Sequence, residues 1–194
     1  PQLNFKKLNK IKEIKILELA KNLGSQRAIA VALNYLKNVE SSFYVTIMDS
    51  DGEDDPKHIN KMIDLAKKNK NNVIVSCRKD REENLIIKIC YKIHLILTFL
   101  LTVKWISYGN FSSFHSKNIK KILSDNSVWL AYSSAVMKNT KIKKTYSKRL
   151  KRYFGKSKVN FLFLVTHSIK IIGVFYKRVL VLSLFYLLLI NKLF

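Results

Sequence analysis

The chain has 194 residues, with 36 lysines and arginines against 13 aspartates and glutamates, and its formal net charge is +23. This length suits one domain of ordinary size, and the excess of positive charge indicates an anionic partner: nucleic acid, an anionic membrane or a phosphorylated substrate. Nucleic acid is disfavoured among these partners, because the sequence contains no recognisable nucleic-acid-binding module.

Residues 1–83 alternate between patterns typical of strands and of helices. Strands are predicted over residues 14–19, 43–49 and 71–78, and helices over residues 24–37 and 56–69. The second strand is a nearly continuous apolar run, as expected for a strand buried on both faces of a parallel sheet. The order strand, helix, strand, helix, strand predicts an α/β fold, with a Rossmann-like, mostly parallel sheet, flanking helices and right-handed crossovers.

The second half of the chain combines positive charge with long apolar runs. Residues 84–194 hold 20 basic side chains and a single acidic one, Asp125. Residues 84–105 predict one or two amphipathic helices at a membrane interface, and residues 105–115 have strand or loop character. Residues 159–194 predict an apolar, membrane-associated tail that forms a C-terminal membrane helix. The two apolar runs, residues 93–103 and 179–190, are both shorter than the roughly 20 residues that cross a bilayer comfortably. The sequence therefore leaves open whether the tail spans the membrane.

Five carboxylates follow the apolar strand in the segment DSDGEDDP, residues 49–56. Ligands of open α/β sheets bind beyond the carboxyl ends of strands, which places Asp49 and Asp51 where a site is expected. Carboxylate oxygens suit Mg²⁺ or Mn²⁺, and Glu53 is spaced to join the two aspartates. Alternatively, these acids only favour the start of the next helix. We expect that role for Asp54 and Asp55, while the spacing alone leaves both readings open for Asp49 and Asp51.

Four segments together resemble family 2 glycosyltransferases of the GT-A fold, especially the polyprenyl-phosphate glycosyltransferases akin to dolichol-phosphate mannose synthase. The first is the aspartate segment itself, which is similar to the Asp-x-Asp segment of that family. The second, KNLGSQRAIAVAL, resembles the family's Asn-x-Gly-x-x-x-Ala helix start through Asn22, Gly24 and Ala28.

The other two segments are rich in basic residues. VSCRKDREEN is similar to the strand end that supplies a substrate-facing arginine in the family, here Arg78 with Arg81 nearby. RYFGKSK, the most specific of the four, matches Arg-x-x-Gly-x-Ser-Lys. Its matching residues are Arg152, Gly155, Ser157 and Lys158.

The resemblance implies transfer of a sugar from a nucleotide-sugar donor to the phosphate of a membrane polyprenol. It implies that Asp49 and Asp51 are catalytic and that, with Glu53 in place of the family's usual glutamine, they hold Mg²⁺ or Mn²⁺ against the donor diphosphate. Such a metal would neutralise the leaving nucleotide diphosphate. Because the acceptor is already an anionic phosphate, no general base is required. The implied donor-binding residues are Asn22, Gly24, Asp49 and Asn110.

The resemblance also implies a set of ligands for the acceptor phosphate, since arginine suits bidentate phosphate contacts. These residues are Arg78, Arg81, Arg152, Ser157 and Lys158. The alternative for the basic stretch that holds the last three is a charge run facing anionic lipid. Ser157 is equally well explained as a helix cap.

Residues 1–158 are expected to form the GT-A-like domain, including the interfacial helices, and residues 159–194 the apolar tail. Cys77 and Cys90 have neither metal-ligand nor redox spacing, which favours reduced thiols in a cytoplasmic compartment. The expected location is the cytoplasmic face of the cell (inner) membrane. The sequence leaves a homo-oligomer open.

Members of the family normally begin with a strand carrying a Val-Pro-x-x-Asn-Glu type segment and a second strand that ends in an Asp-Asp-Gly-Ser type turn. Neither segment occurs in this sequence, and we therefore expect a sheet without those two strands. The alternative to an active transferase is an inactive membrane-binding remnant, or a fragment, of such an enzyme. A basic nucleic-acid-binding protein is a third hypothesis, and it predicts steeply salt-dependent binding to any duplex.

Overall fold

A computed structural model describes residues 11–78, 85–153 and 161–193 of the chain. Within these residues it contains four strands and seven helices, with a 3₁₀ turn at Asn126–Trp129. In chain order they are α1 (Ser25–Leu36), β1 (Tyr44–Ile47), α2 (His58–Lys68), β2 (Asn72–Arg78), α3 (Leu85–Thr102), β3 (Tyr108–His115), α4 (Asn118–Ile122), α5 (Tyr132–Asn139), β4 (Lys141–Ser147), α6 (Phe161–Gly173) and α7 (Tyr176–Leu193).

The four strands form one sheet in the order β1-β3-β2-β4. β3 pairs with β1 and with β2 in antiparallel fashion, whereas β2 and β4 pair in parallel. β1, β2 and β4 therefore run in one direction, as the predicted crossovers require. The predicted parallel pairing is wrong for β1 and β2, because β3 returns from α3, enters between them and runs the opposite way.

The sheet separates two apolar layers, and β2 contributes to both. Val73 and Val75 belong to the cluster that α1 and α5 cover, whereas Ile74 packs with Met62 of α2 and with Phe111. The three β2 side chains are fully buried. This alternation follows from the two-residue period of a strand, and it gives the predicted α/β architecture with helices on both faces.

The predicted strand at residues 14–19 does not form. That part of the chain has no regular structure, and its side chains are exposed. Ile16, for example, is 71% exposed. A short apolar run becomes a strand only when a partner edge accepts its backbone hydrogen bonds. No described strand pairs with residues 14–19, so an apolar pattern of this length is insufficient.

A second group of elements, the helical platform, consists of α3, α6 and α7, which pack on one another. The Tyr186 hydroxyl of α7 donates a hydrogen bond to the carbonyl oxygen of Leu100 in α3 at 2.9 Å. Much of the apolar surface of the platform nevertheless faces outwards. Its apolar side chains that are more than half exposed include Ile93, Ile96, Leu162, Ile169, Leu180, Val181, Leu184, Phe185, Leu187, Leu188 and Ile190.

The tail bends sharply between α6 and α7, so the prediction of one apolar membrane helix is corrected to a pair of helices. In the described part of the chain no single helix has the length and composition to cross a bilayer; Leu164–Gly173 and Tyr176–Lys192 meet that test together, bent by 89°. The bend has a packing cause, because Ile171, Val174 and Phe175 are buried in the core cluster that α1 and α5 cover.

Candidate functional site

The carboxylates of residues 49–55, here called the acidic loop, lie between the carboxyl end of β1 and the start of α2. The loop folds on itself, since the Asp49 amide donates to Asp54 Oδ2 at 3.1 Å and the Glu53 amide donates to Asp51 Oδ1 at 3.1 Å. Gly52 makes the turn with a φ of +85°, a conformation that glycine adopts without steric cost. The loop is therefore a defined turn.

Asp49 is linked to the neighbouring strand and to α1 by a chain of side-chain amides. Asn110 Nδ2 of β3 donates to Asp49 Oδ1 at 3.3 Å, and Gln26 Nε2 of α1 donates to Asn110 Oδ1 at 3.1 Å. Gln26 Oε1 in turn accepts the Tyr132 amide at 2.7 Å. Sequence reasoning missed Gln26, although it lies inside the segment that resembles the family's helix start. It orients the Asn110 amide towards Asp49.

Asp49 and Asn110 line a small cavity of about 20 Å³, room for about one water molecule, at the end of the sheet. Arg78, at the end of β2, is the third predicted site residue in its wall. The full lining is Asp49, Asp54, Ser76, Arg78, Gly109, Asn110, Phe111 and Ser147. The structure thus brings together three predicted residues from three different strand ends.

Asp54 also lines this cavity, although the sequence did not assign it to the site, since its position before a helix suggested a capping role only. Its carboxylate accepts the Asp49 amide and faces the cavity. Burial raises the pKa of the Asp54 carboxyl, an effect that the Asp49 hydrogen bond and the charge of Arg78 partly oppose. Asp55 does act at the helix entrance, where its Oδ1 accepts the Lys57 amide at 2.9 Å.

A segment after β4, residues 148–153 and here called the strap, lies across the acidic loop. The Leu150 amide donates to the Glu53 carbonyl at 2.9 Å, and the Tyr153 amide donates to the Asp51 carbonyl at 3.0 Å. The Tyr153 ring lies directly on Gly52, where a Cβ atom would come within 2.5 Å of the ring. Backbone hydrogen bonds and an aromatic contact therefore hold the strap on the loop.

Two arginines of the strap form ion pairs with the acidic loop. Arg152 Nη2 lies 2.9 Å from Asp51 Oδ2, and its Nε lies 3.4 Å from Glu53 Oε1. Arg149 also pairs with Glu53. The four side chains are only 16% to 31% exposed. Arg152, predicted to bind the acceptor phosphate, thus contacts two of the three predicted metal ligands.

The acidic loop has the right donor chemistry for a divalent cation, but its side chains are not gathered around one. Among the residues that the structure describes, no group of three or more histidine, cysteine, aspartate or glutamate side chains is arranged to hold a metal ion. Asp49 faces the Asn110 amide, while Asp51 and Glu53 face the strap arginines. Hard oxygen ligands are present, and their arrangement is set by other partners.

The remaining predicted site residues are further along the chain or outside the described residues. Asn22 Oδ1 accepts the Gly24 amide at 2.9 Å, which forms a local turn before α1. Gly24 has a φ of +77°, and in the described part of the chain neither residue forms a hydrogen bond to the acidic loop. Arg81, Ser157 and Lys158 lie outside the described residues.

Comparison with known sequences identifies one family. The sequence model described as Glycosyl transferase family 2 matches residues 3–151, well over half of the chain. The matched region contains the whole sheet, the acidic loop, Asn110 and the first four residues of the strap. No curated protein and no solved structure matches the chain.

Proposed function

The chain belongs to glycosyl transferase family 2, and from that premise we propose that it is a membrane-associated, metal-dependent hexosyltransferase of the polyprenyl-phosphate type. Family membership makes it a glycosyltransferase with a nucleotide-sugar donor and an acceptor. The proposal adds the acceptor, which is the phosphate of a polyprenyl lipid, the cofactor, which is Mg²⁺ or Mn²⁺, and the location at the cytoplasmic face of the cell membrane.

The observation that carries the donor site is the meeting of Asp49, Asn110 and Arg78 around the cavity at the strand ends. In an open α/β sheet this edge is where a nucleotide binds. Asp49 and Asp51 would hold the metal ion, which when bound supplies Lewis-acid stabilisation of the leaving diphosphate. The Asn110 amide, fixed by Gln26, keeps the Asp49 carboxylate oriented towards the site.

The acceptor side of the proposal rests on the basic residues near the loop. Arg78 borders the cavity, and Arg152 of the strap pairs with Asp51 of the acidic loop. A guanidinium offers the planar pair of donors that a phosphate oxygen pair accepts. Because a phosphate nucleophile is already ionised, the residues have to position it and need not remove a proton. Arg81, Ser157 and Lys158 belong to this proposal from their sequence motif.

The helical platform supports membrane association. Leucines of α7 such as Leu180 and Leu184 are 67% and 60% exposed. A groove of about 390 Å³ next to them is lined by Val103, Lys177 and Arg178 together with apolar side chains of α7. Exposed apolar surface beside cations is the pattern that places a helix in the headgroup region of an anionic bilayer.

A second candidate function is that of an inactive, membrane-binding relative of such an enzyme. Two observations favour it: no gathered metal-ligand cluster exists among the described residues, and arginines already neutralise Asp51 and Glu53. This candidate keeps the platform and the basic half of the chain. It predicts binding to anionic membranes without any metal-dependent binding of a nucleotide sugar.

The deciding experiment measures donor binding and sugar transfer with the full chain in nanodiscs. UDP- and GDP-sugars are titrated with and without Mn²⁺, and transfer of labelled sugar to polyprenyl phosphate is then followed for the donor that binds. We expect metal-dependent binding and transfer, and a loss of transfer of more than about a hundredfold in the Asp49→Asn, Asp51→Asn variant, since the metal contributes several kcal/mol.

The matched control is Asp64→Asn, because Asp64 is an aspartate on the exposed surface of α2 that pairs only with Lys67 among the contacts described. It should leave transfer unchanged. A folded protein that binds no nucleotide sugar in either condition would favour the inactive relative. Transfer that survives the loss of both loop aspartates would refute their catalytic role.

A further inference from the structure

The strap and the acidic loop are joined by contacts that use the same carboxylates a metal ion would need. We propose that Arg149 and Arg152 form an electrostatic latch: their guanidinium groups hold the strap closed over Asp51 and Glu53, and a divalent cation enters the loop only when the latch opens. This inference rests on the metal dependence proposed above. It gives Arg149, which no sequence motif singled out, a positioning role.

The latch has a charge-based reason to be closed when no metal is bound. Residues 49–55 contain five carboxylates in seven positions, and like charges at this spacing repel one another. Arg152 reaches two of the carboxylates, Asp51 and Glu53, and Arg149 adds a second guanidinium at Glu53. Because these side chains are mostly shielded from solvent, water screens their attraction less than at a fully exposed pair.

The same contacts exclude a divalent cation from Asp51. Arg152 Nη2 is 2.9 Å from Asp51 Oδ2, and Mg²⁺ binds carboxylate oxygens at about 2.1 Å, so an ion on that oxygen would lie within about 5 Å of the guanidinium. Two cations at this separation repel strongly in a partly buried site. The ion and the guanidinium therefore compete for one carboxylate.

Competition at the side chains is transmitted to the backbone of the strap. The Leu150 and Tyr153 amides donate to the carbonyl groups of Glu53 and Asp51, the two residues whose side chains hold the arginines. When the guanidinium groups leave, these two amide bonds, the antiparallel backbone bridge between Asp54 and Arg149 and the Tyr153 ring contact still attach the strap to the loop. Linkage then requires that the cation weakens strap closure by the same factor as strap closure weakens cation binding.

The latch also gives the proposed reaction an order. While Arg152 is paired with Asp51 and Glu53, its guanidinium is engaged at the carboxylates and is not offered to a phosphate. Metal and donor binding release it, and only then does it join Arg78 as a ligand for the acceptor phosphate. The acceptor site is thus completed after the donor site.

The first test is amide hydrogen exchange of the full chain in nanodiscs, with and without saturating MgCl₂, at matched ionic strength set with NaCl. We expect exchange at Leu150 and Tyr153 to become at least about fivefold faster with Mg²⁺, as a local opening requires. The amides of β4 that pair with β2 should not change and serve as the internal reference. Unchanged or slower exchange at Leu150 and Tyr153 would overturn the latch.

The second test compares Mn²⁺ affinities by electron paramagnetic resonance in two charge-matched variants of the strap. Arg149→Gln with Arg152→Gln removes the latch, whereas Lys148→Gln with Lys151→Gln removes the same charge from exposed neighbours. We expect about tenfold tighter Mn²⁺ binding in the arginine variant, the worth of a few modest ion pairs, and little change in the lysine variant. Equal affinities in both variants, or no Mn²⁺ binding in either, would overturn the latch.

Neither test uses a nucleotide sugar or a polyprenyl phosphate, so the latch and the proposed reaction fail separately. An inactive protein whose strap opens with Mg²⁺ would retain the latch and lose the transferase proposal. An active protein whose strap does not open with Mg²⁺ would retain the transferase proposal and refute the latch. The exchange experiment needs no substitution. It can therefore refute the latch even if the variants of the second test do not fold.

Discussion

The sheet and the helical platform differ in the solvent exposure of their apolar side chains: the sheet buries them, whereas the platform leaves many of them exposed. In β2, Val73, Ile74 and Val75 are fully buried between two layers of helices, whereas Leu180 and Leu184 of α7 are 67% and 60% exposed. Burial in the sheet is explained by the fold itself, because strand alternation delivers side chains to both layers. Within the residues that the structure describes, nothing covers the exposed leucines, and exposed apolar surface of this kind is typical of an interaction surface.

The two regions also differ in the sign of their charged side chains. The acidic residues concentrate in the loop after β1, where the strap arginines meet them, while α3, α6 and α7 contain lysines and one arginine without any acidic residue. Paired charges at a strand end fit a candidate site, whereas cations beside exposed apolar surface fit the anionic interface proposed above. Substitutions confined to one region should therefore change only its own behaviour.

The largest effect is expected from placing charge on the platform. Leu184→Glu with Leu188→Glu should reduce binding to anionic vesicles about a thousandfold, because in the proposed membrane-bound state two leucines that enter the acyl region each contribute roughly 2 kcal/mol. Vesicle sedimentation measures this loss. Tyr35→Glu, at an exposed position of α1, is the control and should bind as the native protein does. Equal binding by all three proteins would break the division between the two regions.

The next effect concerns Asp125, the single acidic residue of the second half of the chain. Its carboxylate accepts the Ser127 amide at 2.9 Å and pairs with Lys138 at 2.7 Å. Asp125→Ala should lower the free energy of unfolding by about 1–2 kcal/mol at neutral pH. Chemical denaturation measures this, with the exposed Asp64→Ala as a control expected near zero.

The pH dependence of that effect has a defined sign. Burial alone would raise the pKa of Asp125, but the hydrogen bonds from Lys138 and Ser127 outweigh it and hold this pKa far below the ordinary range. A lowered pKa contributes stability above the unfolded value, and the contribution is lost as the pH falls from about 4 towards the folded value. The difference between the native protein and Asp125→Ala should shrink in that window. A difference that grows there would contradict the assignment.

Gln26 tests whether positioning in the sheet region can be separated from stability. Gln26→Ala removes the bonds to Asn110 and Tyr132 and should cost about 1 kcal/mol of stability, with a further loss of transfer rate. Gln26→Glu keeps an acceptor for the Tyr132 amide but loses the donor to Asn110. If the amide chain orients Asp49, both variants lose transfer while the second retains more stability. A native rate in Gln26→Glu would leave Gln26 with a structural role only.

The smallest effect is expected at Asp54. Because burial raises its pKa, the ionised carboxylate costs stability at neutral pH, and that cost grows as the pH rises through the folded pKa. Asp54→Asn keeps an acceptor for the Asp49 amide and removes the charge, so it should stabilise the fold by less than about 1 kcal/mol at pH 7. The gain should vanish below the ordinary aspartate pKa. Denaturation at neutral and at acidic pH measures it.

The local sequence pattern was sufficient to predict those elements whose structure depends on apolar periodicity and on the position of turns. Two strands, the first two helices and the position of Asp49 and Asp51 at a strand end were predicted, because apolar period and the reversal from apolar to acidic residues are visible in short windows. Family membership confirms the glycosyltransferase prediction. The roles of the individual site residues, the metal and the lipid acceptor stay predictions.

Long-range partners determined what the pattern did not predict. Gln26 and Asn110 are 84 positions apart, and Arg149 and Glu53 are 96 apart, so neither contact leaves a local signal. β3 likewise takes its place between β1 and β2 only through pairing with both. Residues 14–19 show the converse, since a convincing strand pattern stayed irregular where no described strand pairs with it.

The strap lies on the acidic loop and continues along the chain into the helical platform. Eight peptide units separate Tyr153, which lies on Gly52, from Phe161 at the start of α6, and eight units extend to at most about 29 Å. This length is an upper limit on the distance between residue 153 and the start of α6, whether the latch is closed or open. If the proposed membrane association holds α6 at the headgroup level, the strap and the lipid phosphate that it is proposed to bind stay close to the same leaflet.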